Sequence, residues 1–399
     1  MSFIENIFKK IDPMFEKGGK WEKFYYVYEA HRTLFLVPDK TTNATGVQIR
    51  DAIDMKRMMM TVIIAMLPCL LFGIWNAGHQ HYLGIGQTAE LVDKLLMGAI
   101  LVVPIIAVSY TVGLSIEFTF ASIRREEVNE GFLVTGMLIP LVVPASIPLW
   151  QVGLATAFAV IIGKEVFGGT GMNILNVALT ARAFLYFAYP SQISGDVWTF
   201  FGDANAVEGF SGATPLALGA ESLANGQNLV ASLNSFGAGW ADGMYSFMNM
   251  FIGIMPGSIG ETSTLMCLIG AAILIMTGVG SWKIIFSVFA GAFAMGTLCN
   301  AFGANEYMLL PAHYHLVIGG LAFGAVFMAS DPVTATHTET GKWIYGFLIG
   351  VLTVIIRVFN PAYPEGIMLA ILLMNVFAPL IDYYVVAANK KRRLKRATV

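Results

Sequence analysis

Ten runs of mainly apolar residues dominate this 399-residue chain, at about 58–77, 95–116, 131–149, 151–168, 174–190, 262–280, 284–302, 315–330, 343–359 and 366–388. Each is close to the ~20 residues that a helix needs to cross a bilayer. A backbone in hydrocarbon must satisfy its own hydrogen bonds, so such runs fold as helices and pack against one another. The expected fold is an all-α polytopic membrane protein of about ten transmembrane helices. Only 13% of the residues are charged, about half the ~25% of a water-exposed domain, so most of the surface faces lipid. A net charge of −2 supplies no field to attract nucleic acid, which is excluded as a partner. Pro140, Pro144 and Pro148 make the third run irregular and a candidate for breaking into half-helices.

Charge sets the orientation. Ten Lys and Arg residues lie between Lys9 and Arg57, followed by Arg124, Arg125, Lys164, Lys283, Lys342 and the Lys390–Arg396 tail, whereas 191–261 has none. The positive-inside rule therefore predicts both termini in the cytoplasm and the 191–261 loop outside. The resulting division is a cytoplasmic segment 1–56, a five-helix half 57–190, a periplasmic loop 191–261, a second five-helix half 262–388 and a basic tail 389–399. An odd number of spans before the loop inverts the second half, the layout of inverted-repeat transporters. Positions 1–56 lack the apolar core of a cleavable signal peptide. Phe3, Ile4, Ile7, Phe8 and Ile11, with Lys9 and Lys10 beside them, predict a short amphipathic helix on the membrane surface or a partner subunit.

Ionisable residues at membrane depth are costly, which makes them functional candidates. Glu117, Glu165, Asp331 and Asp382 fall near the cytoplasmic ends of runs, and Arg182 falls nearer the middle of one. At those ends a carboxylate either reaches interfacial water or joins helix-end carbonyls as a hard oxygen site for a cation. Asp331, in Asp331-Pro-Val-Thr334, is the first candidate for ion coupling, with Glu117 and Asp382 beside it. Arg182 reads as the partner of a carboxylate or of a bound cofactor. Cys69, Cys267 and Cys299 are far apart in sequence and read as small buried apolar residues. A cluster needing four thiolates is disfavoured in this chain. His79/His81 and His313/His315 read as solvated or hydrogen-bonded loop residues, no metal site is predicted, and Met58–Met60 reads as lipid-facing filler.

Gly163-Lys-Glu-Val-Phe-Gly-Gly-Thr-Gly171 closes the fourth run. Its glycines permit either close approach to a flat ring or lipid headgroup, hydrogen-bonded by Asn173 and Asn176, or a tight turn with capping amides. It lacks the strand–turn–helix setting of a dinucleotide fingerprint, and no P-loop is present to bind ATP. In the polar loop stands Glu208-Gly-Phe-Ser211-Gly212-Ala213-Thr214-Pro215-Leu216. Glycine makes this backbone permissive, Ala213 leaves the approach to the Thr214 hydroxyl open and Pro215 stiffens the exit. Alone, four small residues make an ordinary turn.

Ser211-Gly212-Ala213-Thr214 resembles the acceptor on which a flavin transferase joins FMN to a threonine hydroxyl through a phosphoester, with Glu208 where that pattern usually has Asp. Five further segments join it: Leu149-Trp-Gln-Val152, Gly163–Asn173, Ala181-Arg-Ala-Phe184, Pro311-Ala-His-Tyr-His315 and Ala329–Thr334. In this order they resemble the B-type membrane subunit of the bacterial sodium-translocating NADH:quinone oxidoreductases, over essentially the whole chain. The resemblance implies covalent FMN on Thr214, a second noncovalent flavin (riboflavin) and contact with ubiquinone; Asn173 and Asn176 are the candidates to hold the second flavin or the quinone. It implies a role in a bacterial inner-membrane complex that passes electrons from NADH to ubiquinone and exports sodium. Its partners would be an NADH-oxidising flavin/iron–sulfur subunit, a second covalent-FMN subunit and the maturing flavin transferase. Two alternatives stay open. The D-type subunit of the Rnf-type oxidoreductases, which shares two of these motifs, would connect ferredoxin and NAD. A channel or transporter without redox chemistry would share only the inverted layout.

Overall fold

A computed structural model describes residues 2–15, 19–36, 53–126, 128, 131–193, 195, 198–202, 210, 212–237, 241, 243–360 and 365–397. Glu208 and Ser211 lie outside these residues. At the N-terminus, α1 (Ser2–Phe15) and α2 (Tyr25–Phe35) form a hairpin in which Asp12 accepts from the Tyr28 hydroxyl at 2.6 Å and pairs with Arg32 at 3.2 Å. The first half follows as α3 (Met55–Gly84), α4 (Leu91–Arg124), α5 (Gly131–Leu141), α6 (Leu149–Gly163) and α7 (Val177–Ala188). Between the halves lie α8 (Pro215–Ala224), α9 (Leu229–Ser235) and α10 (Phe247–Ile252). The second half contains α11 (Thr264–Met276), α12 (Trp282–Phe302), α13 (Tyr314–Val317), α14 (Leu321–Phe323) running into a π-turn at Gly324–Met328, α15 (Glu339–Phe359) and α16 (Ile367–Ala397). No strand occurs among the described residues, and the chain is an all-α polytopic membrane protein.

The expected spans are not ten equal helices. Six are long and apolar enough to cross a membrane: α3, α4, α6 with its 3-10 extension to Phe167, α12, α15 and α16. α5, α7 and α11 are shorter, and the 315–330 run is broken where Gly319 takes φ +66 between α13 and α14. α5 ends at Leu141, beside the Pro140 and Pro144 that withhold backbone donors. Its freed carbonyls are satisfied from across the bundle: Gly260 N–H donates to Leu141 O at 2.8 Å and Ile259 N–H to Val143 O at 3.2 Å. Non-helical backbone is tolerated at membrane depth when other protein groups cover it in this way.

The two halves repeat one packing order. α4 packs on α6 and α6 on α7, as α12 packs on α15 and α15 on α16, while α3 meets α11 and α7 meets α16 across the centre. The described part of 191–261 is no open loop. Leu216, Leu229, Leu233, Tyr245 and Met250 form a second core with Tyr307, Leu310, Val317 and Val354, so α8–α10 seat as a cap on the second half.

Candidate functional site

Two cavities lie end to end along α7. The Thr214 cavity encloses about 280 Å³, close to the lower end of the ~300–1,000 Å³ of ligand pockets. Thr214 is the N-cap of α8: its Oγ1 accepts from Ala217 N–H at 3.1 Å, its own N–H donates to Gly195 O at 3.0 Å, and Pro215 fills the first helical position. Gly212 and Ala213 are buried behind it, and the buried Tyr245 hydroxyl donates to the Ala213 carbonyl. Burial pushes that phenol above its usual range, so it stays a donor. The threonine hydroxyl thus opens on a cavity from a backbone fixed on both sides.

At the floor of this cavity Arg182 is 3% exposed and donates to Glu261 Oε1 at 2.6 Å and to a Glu365 carboxylate oxygen. Ser258 donates to the other Glu261 oxygen. Gly320 permits this approach, since a Cβ there would stand 3.0 Å from both Glu261 oxygens. The Trp198 ring lies 6.0 Å from the guanidinium. Trp198 Nε1 and Thr262 Oγ1 are buried without a hydrogen-bond partner among the described residues, and both residues line the cavity. Buried donors of this kind are uncommon in folded proteins and point to a ligand group.

The second cavity lies at the end of the bundle where α3 begins, and encloses about 110 Å³ lined by Met58, Met59, Lys164, Asn173, Asn176 and Asp331 among others. The Asp331 carboxylate accepts from Asn176 Nδ2 at 3.2 Å, Val333 N–H at 3.0 Å and Thr334 Oγ1 at 3.1 Å. Asn176 also caps α7, whereas the Asn173 amide turns to Leu175 O at 3.0 Å. Met58 and Met59 are therefore wall residues of a cavity, rather than only lipid filler.

The three candidate carboxylates are not brought together. Glu117 does not reach interfacial water; it is buried in an ion pair with Lys164, beside Glu165, whose carboxylate meets Arg124 Nη1 at 2.7 Å. Asp382 accepts from His337 N–H at 2.7 Å and Thr338 N–H at 3.0 Å at the start of α15, and lines neither cavity. Gly168, Gly169 and Gly171 have φ of +117, +95 and +90, a turn that side chains with a Cβ rarely adopt. Against the expected solvated or hydrogen-bonded ring, both His315 nitrogens are buried without a partner among the described residues. Cys69 and Cys267, distant in sequence, place their sulfurs 3.8 Å apart in the core.

Sequence reasoning missed Glu261, Glu365 and Trp198 as neighbours of Thr214, and Lys164 as the partner of Glu117. A signal existed for the first two. An arginine inside an apolar run demands a carboxylate, and Glu261 and Glu365 stand just before apolar runs at that end of the bundle.

From Asn176 to Arg182 is six residues of α7, ~9 Å of helix, so one short helix walls both cavities. A helical bundle whose halves repeat one packing order, with a cavity at each end of α7 and a buried ion pair beside each, defines a polytopic membrane protein. A family model described as the NQR2, RnfD, RnfE family matches residues 42–391, and the chain belongs to that family. It is 48% identical to the B subunit of the Na(+)-translocating NADH-quinone reductase of Stutzerimonas stutzeri (strain A1501), over 98% of this chain and 99% of that protein. The protein of the same description from Chromohalobacter salexigens is 48% identical over 98% of this chain and 96% of its own length. That from Pseudomonas aeruginosa (strain LESB58) is 47% identical over 98% and 99%.

Proposed function

We propose that this chain is the membrane subunit of a sodium-translocating NADH:ubiquinone oxidoreductase that carries FMN as a phosphoester on Thr214. The observation that carries the reading is the Thr214 hydroxyl, held at the mouth of a cavity and at the N-terminus of a helix. The near full-length likeness to the B subunits of quinone reductases supports it, and coverage of 98% of the chain takes in most of the N-terminal segment that the Rnf-type alternative is expected to lack.

The residues around Thr214 fit the group. A phosphoester on Oγ1 places negative charge at the N-terminus of α8, where the helix dipole favours anions. Bound there, FMN supplies one- and two-electron redox chemistry. Tyr245 fixes the attachment backbone, Trp198 and Thr262 offer hydrogen bonds to a ring, and Arg182 provides a cation at the far end of the cavity. Asn173 and Asn176 have suitable chemistry for a second flavin, but a cavity of about 110 Å³ is too small for one as it stands, and no step is assigned to it.

In this reading the basic termini lie in the cytoplasm, the Thr214 cap lies in the periplasm, and electrons cross from the cap toward the inner cavity and ubiquinone. Partner subunits supply them: an NADH-oxidising flavin/iron–sulfur subunit and a second covalent-FMN subunit, with a flavin transferase for maturation. Asp331 is the carboxylate assigned to sodium coupling, because it lines the inner cavity and no ion pair neutralises it among the described residues. Glu117 and Asp382 are secondary candidates. The test is ultraviolet fluorescence of the denatured polypeptide after expression with a flavin transferase. A fluorescent band that Thr214→Ala abolishes is expected. A dark wild-type band beside a labelled control acceptor overturns the reading and leaves a non-redox transporter.

A further inference from the structure

We propose that Arg182, shared between Glu261 and Glu365, sets the reduction potential of the flavin on Thr214; this rests on the covalent-flavin reading above. Arg182 is the cation that lines the Thr214 cavity, and its guanidinium is withdrawn from water. Among the described residues two carboxylates and a second guanidinium surround it. Arg182 pairs with the buried Glu261 and with the half-buried Glu365. Arg357 contributes the second positive charge from behind Gly319, donating to the backbone carbonyls of His315 at 2.7 Å, Ile318 at 2.8 Å and Glu365 at 3.1 Å.

One-electron reduction adds one negative charge to the ring, with no bond made or broken. The electron comes from a reduced flavin or iron–sulfur centre of a partner subunit. In a low-dielectric site a neighbouring unit charge acts on that added charge far more strongly than in water. Removing the Arg182 charge makes the cluster more negative and opposes reduction. Removing the Glu365 carboxylate makes it more positive and favours reduction. Trp198 Nε1 and Thr262 Oγ1, donors of the same cavity with no partner among the described residues, offer hydrogen bonds to the ring in either state.

The test is a spectroelectrochemical titration of the whole purified complex, reading the component that Thr214→Ala removes. Arg182→Gln is expected to disfavour the reduced form at least tenfold, a downward shift of ~59 mV for one electron. Arg182→Lys, which keeps the charge, is expected to stay nearer wild type, and Glu365→Gln to shift upward. Opposite signs distinguish an electrostatic role from general damage to the cavity. Shifts of the same sign, or an unchanged midpoint in Glu365→Gln, overturn the proposal while the denatured band still fluoresces. If Arg182→Gln does not assemble, Glu365→Gln against wild type decides alone. A wild-type band without fluorescence fails the covalent-flavin reading instead.

Discussion

Glu117 and Lys164 meet with side chains 5% and 4% exposed, so neither charge has water to fall back on. Removing one partner leaves the other buried and uncompensated, a cost of about 3–5 kcal/mol, whereas replacing both by apolar groups is often neutral. Glu117→Leu alone should therefore lower the thermal stability of the purified protein strongly. Glu117→Leu with Lys164→Met should restore it. If Glu117 also takes part in sodium coupling, the stable double variant will still lose the sodium stimulation of quinone reduction. Retained stimulation would make the pair purely structural. Asp331→Asn belongs in the same assay, because Asp331 has three hydrogen-bond donors and no ion pair among the described residues. It should abolish sodium stimulation without comparable loss of stability, and intact sodium dependence would remove Asp331 from the path.

At the scale of elements, α12 and α15 pack at backbone distance because glycines occupy their seam. Gly346 and Gly350, four apart on α15, face α12; a Cβ on Gly350 would lie 2.5 Å from Ala292 N, and one on Gly346 2.7 Å from Ile284 O. Small residues at this spacing let membrane helices approach closely. Gly350→Val should separate the pair and destabilise by about 1–3 kcal/mol, as overpacking does, read as a lower melting temperature in detergent. Gly153→Ala is the control, since its Cβ would meet Val108 and Val112 at 3.6 Å, ordinary contact. Equal melting of both variants would refute the seam. The run 343–359 was legible as a helix from its apolar residues, and Pro140 and Pro144 marked the break after α5. The rupture at Gly319 was not legible, because glycine inside an apolar run is compatible with a continuous membrane helix until its φ is known. The same limit hid the Thr214 cavity. Its walls come from Arg182, Tyr186 and Trp198, from 255–258 and 261–262, and from 319–320 and Glu365, which only the fold brings together.

For the whole molecule, the two cavities sit on short and broken elements. α7 with its N-cap and the 319–333 stretch wall both, while the six long helices make up most of the frame around them. Discontinuous helices around a site are an arrangement that repeat-built transporters use. The long α16 adds a directional mark. Its 31 residues span ~46 Å at 1.5 Å each, more than the ~30 Å of hydrocarbon, so its Lys390–Arg396 end projects beyond the bilayer as helix. If that end is cytoplasmic, the Thr214 cap must face the opposite compartment. Asn225, between α8 and α9, and Asn389, near the end of α16, are both exposed, whereas Cys69, Cys267 and Cys299 are at most 2% exposed and give little background. In intact cells an impermeant maleimide should label Asn225→Cys directly and Asn389→Cys only after the inner membrane is opened. Labelling of both without opening, or of Asn389→Cys alone, would reverse or abolish the orientation on which inward electron transfer from the cap depends.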